Sequence, residues 1–390
     1  MSRYWGCGII GMGFGIGGGD GLIEKKLIKN IDYTLVFAIL ALLCIGILVV
    51  SSATHAPDTG DYGLVKRQAI WAVISLIVGF VVITVDYNTL GNLSYIIYAG
   101  SVLFLLLVKV PGIGVVRGGA RSWIDLGVSS IQPSEFAKIG IIVSFAKFLE
   151  SREEKLDTIK DMILPAVFVG VPIALVFTEP DLGGVMVFLA IFAGMVFAAG
   201  ISYKLILWGI AAGIAAIPAA WMFLLSETQK TRLIVFINPG IDPLGGGYHV
   251  IQSMIAVGSG RLLGKGLYQG TQNKLDFLPA QHTDFIFSVL GEELGFIGAV
   301  VLIFFLFLML FRILDAARQA KDRFGYLMVI GVLSMFTFQV VENIGMTIGI
   351  MPITGLTLPF VSYGGSSLLA NMIAMGLVIN VGMRRQIINF

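Results

Sequence analysis

Charge is what this sequence has least of. Only 13% of its 390 residues are charged, about half the share usual in a soluble domain, and 57% are hydrophobic. With a mean hydropathy of +0.91, the chain is not built for water as its main solvent. Cysteine is nearly absent too. Cys44 falls in the first long apolar run and Cys7 before it, which excludes a disulfide framework. His55 and His249 have no partners at metal-ligand spacing, so no zinc site is expected. A formal charge of +2 and a pI near 8.4 are too mild for a nucleic-acid partner.

What is present instead is a series of long apolar runs. A helix needs roughly 20 apolar residues to cross a hydrocarbon core of about 30 Å. Runs such as 35–50 and 300–311 are apolar on every side, whereas barrel strands would alternate. The reading is an all-α integral membrane protein of about ten transmembrane helices, expected near 32–53, 67–85, 93–110, 134–149, 162–178, 183–200, 205–225, 285–310, 324–349 and 365–383. Lys and Arg gather in alternate joints, among them Lys25, Lys26, Lys147, Lys204, Arg312 and Arg384, and this asymmetry puts both termini in the cytoplasm. No small-residue cleavage site follows the first run, so it is expected to remain as a span.

Residues 1–30 are read as an N-terminal cytoplasmic extension, Gly-rich and of native or foreign origin, and 31–390 as a single ten-span membrane domain. Gly13, Gly15 and Gly18 fit a dinucleotide fingerprint in form only, since no strand precedes them. The segment 258–266 departs from a phosphate loop at Ser259 and Gly266, which leaves a nucleotide-driven pump without support. Two extracellular segments exceed what connection requires, 111–133 and the long loop 226–284, and long loops on a rigid scaffold are where chemistry tends to sit. Within the second, Tyr248–Val257 is spaced for a short amphipathic helix in the outer headgroup layer, among membrane lipids.

Polar groups at a membrane edge are candidates for function, each weighed against a structural role. Asp284 leads: with His282 and Thr283 it closes the long loop just before an apolar run, where helix capping is the plainer role for Asp284 or Thr283. Glu135 and Lys138 are three apart on the first turn of a span, either a structural ion pair or part of a site. Arg121, Trp123 and Arg232 are candidates for substrate binding or for anchoring at headgroup level. Glu179 and Asp181 are read as a plain turn around Pro180. Glu292 and Glu293, roughly 12–14 Å deeper than Asp284 along a helix, are expected to bond across to Gln339, Glu342 or Asn343.

Three blocks then stand together: 118–138 (GGARSWIDLGVSSIQPSEFAK), 274–298 (KLDFLPAQHTDFIFSVLGEELGFIG) and 343–367 (NIGMTIGIMPITGLTLPFVSYGGSS). With them the chain resembles the SEDS family of bacterial cell-wall polymerases, the RodA and FtsW proteins, and is nearer the RodA branch. The resemblance covers essentially everything after residue 30. It implies a peptidoglycan glycosyltransferase that joins lipid II into glycan strands on the outer face of the cytoplasmic membrane, with Asp284 matching the family's essential aspartate. It also implies a class B penicillin-binding protein as partner. The leaving group of such a reaction is a polyprenyl pyrophosphate, already a stable anion, so one carboxylate suffices together with positive charge. Asp284 would take the acceptor's proton or hold a divalent cation, Mg or Mn, and both alternatives stay open; the sequence requires no cofactor. Competing readings are a lipid II flippase, the FtsW-like division paralogue, and a scaffold for other cell-wall enzymes.

Overall fold

The computed structural model describes residues 30–385, apart from 55–62, 118–119, 126, 128–129, 153–156, 180, 244, 275–276 and 279. The Gly-rich segment, Cys7 and His55 lie outside the described residues. Helix dominates, because in lipid every backbone N–H and C=O has to find its partner within its own segment. In chain order the elements are α1 (Tyr33–Ala53), α2 (Gly63–Thr84), α3 (Tyr87–Asn92), α4 (Ser94–Leu107), β1 (Gly114–Arg117), β2 (Ala120–Asp125), β3 (Ser130–Ile131), α5 (Pro133–Glu150), α6 (Ile159–Phe177), α7 (Leu182–Ala199) and α8 (Tyr203–Ala219). A π turn, Ala220–Leu224, prolongs α8, and α9 (Glu227–Ile237), α10 (Gly246–Ser259), α11 (Thr271–Lys274), α12 (Ile286–Arg318), α13 (Arg323–Thr347) and α14 (Gly365–Met383) follow.

Eight of these helices are long and apolar enough to cross a membrane: α1, α2, α6, α7, α8, α12, α13 and α14. α4 is apolar but shorter, and α5 has the length but carries Glu135, Lys138, Lys147 and Glu150. Short polar residues set where the runs begin. Asp32 accepts from the amides of Thr34 and Leu35 at 3.0 and 3.2 Å, Asp181 from Gly184 at 2.8 Å, and Asp322 from Gly325 at 2.7 Å. Pro133 opens α5, and Gly200, with φ of 98°, closes α7 in the left-handed conformation that suits glycine.

The centre of the bundle is α13, packed on α5, α7 and α12, with α14 laid along α2. The α2–α14 seam is tight: a Cβ on Gly376 would come within 3.0 Å of the Gly79 carbonyl. α8 is the opposite case, since no residue of 203–224 is buried. One end of the bundle is closed by charge pairs, including Arg312 with Asp32 at 2.6 Å. The other end carries the long connections, and there β1, β2 and β3 form an antiparallel sheet with an irregularity between Val115 and Val116. α10 realises the expected amphipathic helix and lies against α12.

One expectation is corrected. α12 is not a single span carrying Glu292 and Glu293 deep into the bundle, for it breaks at Gly295 (φ 64°, ψ −161°). In an unbroken helix the amides of Phe296 and Ile297 would bond the carbonyls of Glu292 and Glu293. Here they bond Arg261 and Leu262 carbonyls at 2.8 and 3.2 Å, while the amides of Lys265 and Gly266 take the Glu292 and Glu293 carbonyls at 3.0 and 2.9 Å. The 261–266 loop is thus inserted into the break and satisfies all four groups that the break frees. The two side chains follow: Glu292 bonds Lys265, Thr271 and Gln272, and Glu293 bonds Ser52 and Gly270, rather than Gln339, Glu342 or Asn343.

Candidate active site

Asp284 stands in a tight turn, not on the helix. The amides of Thr283 and Asp284 both donate to the Ala280 carbonyl at 3.1 Å, with Ala280 at φ of 50°. The helix begins two residues later, behind Phe285, and no side chain caps it. The capping role open to Asp284 or Thr283 is therefore corrected: neither side chain caps the helix, and the Asp284 carboxylate is not spent on its amides.

The rest of the turn is pinned by the block at 343–367. Asn343 Nδ2 donates to the carbonyls of Asp284 and Leu356 at 2.9 and 2.7 Å, Ser362 Oγ to that of Thr283 at 2.7 Å, and the Tyr363 amide to that of His282 at 2.8 Å. The His282 ring meets Tyr363 edge-on, with centroids 5.6 Å apart. Gly355 has φ of 79°, and a Cβ there would lie 3.5 Å from Asp284 Oδ2. This fixes the physical link between two of the sequence blocks: one presents the carboxylate and the other holds its backbone.

Burial pushes the Asp284 carboxyl above the usual carboxylate range, against the opposing pull of a Thr283 hydrogen bond and the Arg232 charge. Burial likewise pushes the His282 imidazole down, so it is neutral at pH 7. Arg232, half-buried on α9, acts on Asp284 and also on Asp181, the N-cap of α7. Asp181 in turn feels Lys138 and Glu135, which pair at 2.8 Å and are 1% and 8% exposed. Gln132 Nε2 donates to Asp181 Oδ2 at 3.5 Å. A Cβ on Gly183 would lie 2.9 Å from the Thr354 carbonyl, so the start of α7 abuts the loop that borders Asp284.

Five charged groups thus share one electrostatic neighbourhood: Asp284, Asp181, Arg232, Lys138 and Glu135. Four of them were singled out in the sequence. Asp181 was missed because a Pro-containing joint between apolar runs reads as a turn, and the signal was the second acid, Glu179, beside it. Glu179 is 2% exposed, neither carboxylate oxygen has a hydrogen-bond partner among the described residues, and burial, with Asp181 nearby, pushes it up to about 8. Arg121 and Trp123 are placed differently. They sit on β2, Arg121 exposed and Trp123 half-buried, and among the described residues Arg121 is not one of the charges acting on Asp284 or Asp181. The sheet that carries them is tied to the bundle through Ser366, whose Oγ donates to the Ser130 carbonyl at 3.1 Å.

Comparison with known proteins gives this arrangement its relatives. The family profile of the cell cycle proteins FtsW, RodA and SpoVE matches residues 33–387. The peptidoglycan glycosyltransferase MrdB of Escherichia coli K12 is 36% identical over 360 residues, covering 92% of this chain and 95% of that protein. A chain of a solved peptidoglycan synthase complex superposes with a TM-score of 0.78 at 36% identity, covering 91% of this chain and 98% of its own. The crystal structure of the rod shape determining protein RodA of Thermus thermophilus superposes at 0.68, with 32% identity over 91% of this chain and 97% of that one. This chain belongs to the FtsW, RodA and SpoVE family of cell cycle proteins.

Proposed function

We infer that the protein is a peptidoglycan glycosyltransferase that polymerises lipid II, and that Asp284 is its catalytic carboxylate. The observation that carries the reading is an acid partly buried in a turn whose three carbonyls, at 282, 283 and 284, are each bonded from the 343–363 block, with Arg232 acting on it. Asp284 takes the proton of the acceptor sugar's hydroxyl as that oxygen attacks the donor's anomeric carbon. The bond from that carbon to the pyrophosphate breaks, and the polyprenyl pyrophosphate leaves with both electrons. Its charge is met by Arg232 and Lys138 rather than by a second acid, which a leaving group this stable does not need. Arg121 and Trp123 belong to the approach to the site, and His282, neutral, to its wall.

Among the described residues no three His, Cys, Asp or Glu side chains converge as a metal site. Magnesium and manganese are often held by one or two carboxylates with substrate phosphates and water completing the shell, and Asp284 and Asp181 fit that smaller share. A divalent ion carried in with the pyrophosphate would neutralise charge on the leaving group.

The same reading sets the protein in the cytoplasmic membrane with ten spans, α4 and α5 included. Both termini are inside and 226–284 outside, where the lipid tail stays between helices and the sugar enters the site. A RodA-like role in elongation and a class B penicillin-binding protein as partner go with it. The test is polymerisation of purified lipid II by the purified protein. Asp284→Asn removes the charge at constant size, so stability should stay within about 1 kcal/mol of the parent while polymerisation drops 100-fold or more. Near-parental polymerisation by Asp284→Asn would overturn the assignment and favour the flippase.

A further inference from the structure

The inserted loop and the two glutamates behind it take no part in the chemistry just described, yet they concentrate more hydrogen bonds than any cap in the protein requires. We propose that Glu292 is a positioning residue for glycosyl transfer: its carboxylate fastens the 265–272 loop to the short helical segment that presents Asp284, and so fixes where that aspartate stands. The proposal rests on Asp284 being the catalytic carboxylate.

The carboxylate is 1% exposed and fully engaged. Oε1 accepts from Lys265 Nζ at 2.6 Å, from Thr271 N and Oγ1 at 2.8 and 2.9 Å, and from Gln272 N at 3.1 Å; Oε2 accepts from Gln272 N at 3.2 Å. Two of these donors are backbone amides, so the contact is a socket shaped by the chain, not merely an ion pair. Glu293 adds to it from the other side, its Oε1 accepting from Ser52 Oγ at 2.7 Å on α1. The loop approaches so closely that a Cβ on Gly270 would lie 2.9 Å from Glu292 Oε2. Arg261 and Tyr268, at φ of 51° and 61°, hold conformations that persist only where surrounding contacts over-determine them.

Burial alone does not place Asp284. Residues 286–293 are buried throughout, but apolar burial is non-directional and leaves a short segment free to slide along its axis. Directional contacts hold it along its length: Asn343 and Ser362 on the Asp284 and Thr283 carbonyls at one end, Ser253 on the Ser288 hydroxyl at 2.6 Å in the middle, and at the other end the Glu292 socket beside the Lys265 and Gly266 amides. Between Asp284 and Glu292 lie residues 285–291, and beyond them Gly295 uncouples the segment from the rest of α12. Release of the socket leaves the segment in the core with its far end loosened, so any shift bears on the three carbonyl contacts that hold the Asp284 turn, and a displacement of about 1 Å in a reacting group is enough to cost 100-fold in rate.

The test is steady-state polymerisation of lipid II by the full-length protein, with thermal melting alongside. Glu292→Gln should lower kcat tenfold or more with KM within threefold, and Lys265→Met should lower kcat less, because the amides of Thr271 and Gln272 remain. A covalent staple supplies the readout that loss of folding would not move. A Cβ on Gly270 lies 3.2 Å from Cγ of Glu293, the place a cysteine sulfur at 293 would take, which brings the two sulfurs within reach of a bridge. With Cys7 and Cys44 replaced by serine, Gly270→Cys with Glu293→Cys in the Glu292→Gln background should, when oxidised, recover kcat to within threefold of the oxidised staple alone, and lose it again on reduction. Unchanged kcat in Glu292→Gln, or a loss that the staple does not recover, overturns the proposal. If Glu292→Gln does not fold, Thr271→Ala with Lys265→Met carries the same staple and is judged the same way. An inactive Asp284→Asn beside a fully active Glu292→Gln sinks only the positioning role; an active Asp284→Asn sinks the catalytic reading itself.

Discussion

At the scale of single residues, two buried acids make opposite statements. Glu135 is paired with Lys138 inside the bundle, and removing one partner strands the other in a medium that does not solvate it, at about 3–5 kcal/mol. Exchanging both, Glu135→Lys with Lys138→Glu, should restore most of the stability lost in either single change. If activity returns as well, the pair is structural; a stable but inactive double variant places it at the substrate. Glu179 has no hydrogen-bond partner among the described residues, and burial raises its pKa from 4.5 to about 8. The folded protein therefore holds a proton there that the unfolded chain has already released. Glu179 contributes fully to stability below pH 4.5, and that contribution is lost as pH rises through 8. Glu179→Gln keeps the neutral shape without the proton, so it should match the parent in thermal melts near pH 4.5 and exceed it near pH 8 by on the order of 3–5 kcal/mol. Equal pH dependence in both proteins would show that Glu179 is solvated.

At the scale of elements, the sequence was legible where one physical rule acts alone. Spanning helices need only apolar length, and α1, α7 and α14 lie within a residue or so of where hydropathy puts them. It was illegible where two distant segments complete one another. The break at Gly295 lies inside a run of spanning length, just after Glu292 and Glu293, and what opens it, the insertion of 261–266, is about thirty residues away in the chain. The β1–β3 sheet escaped for a related reason, since its strands are short and β3 is two residues long. The site was read in the same uneven way. Asp284, Arg232, Glu135 and Lys138 stood out as costly charges at span edges, while Asp181 acquires its meaning only from neighbours on α5 and α9.

At the scale of the whole molecule, the proposed orientation assigns opposite sides of the membrane to Glu227, at the start of α9, and Lys321, between α12 and α13. Both are exposed. A cysteine placed at Glu227 should react in intact cells with a reagent that does not cross membranes, and one placed at Lys321 should react only after lysis. The reverse pattern would put the candidate site in the cytoplasm and overturn the lipid II reading. The lone helix α8 carries one more consequence. Since no residue of 203–224 is buried and only 205, 206 and 220 are partly so, packing places little demand on the shapes of their side chains, and solubility in lipid is the main constraint. That stretch is interchangeable text: a scrambled order of the same apolar residues should melt within about 2 °C of the parent, where a comparable scramble of α13 would abolish folding.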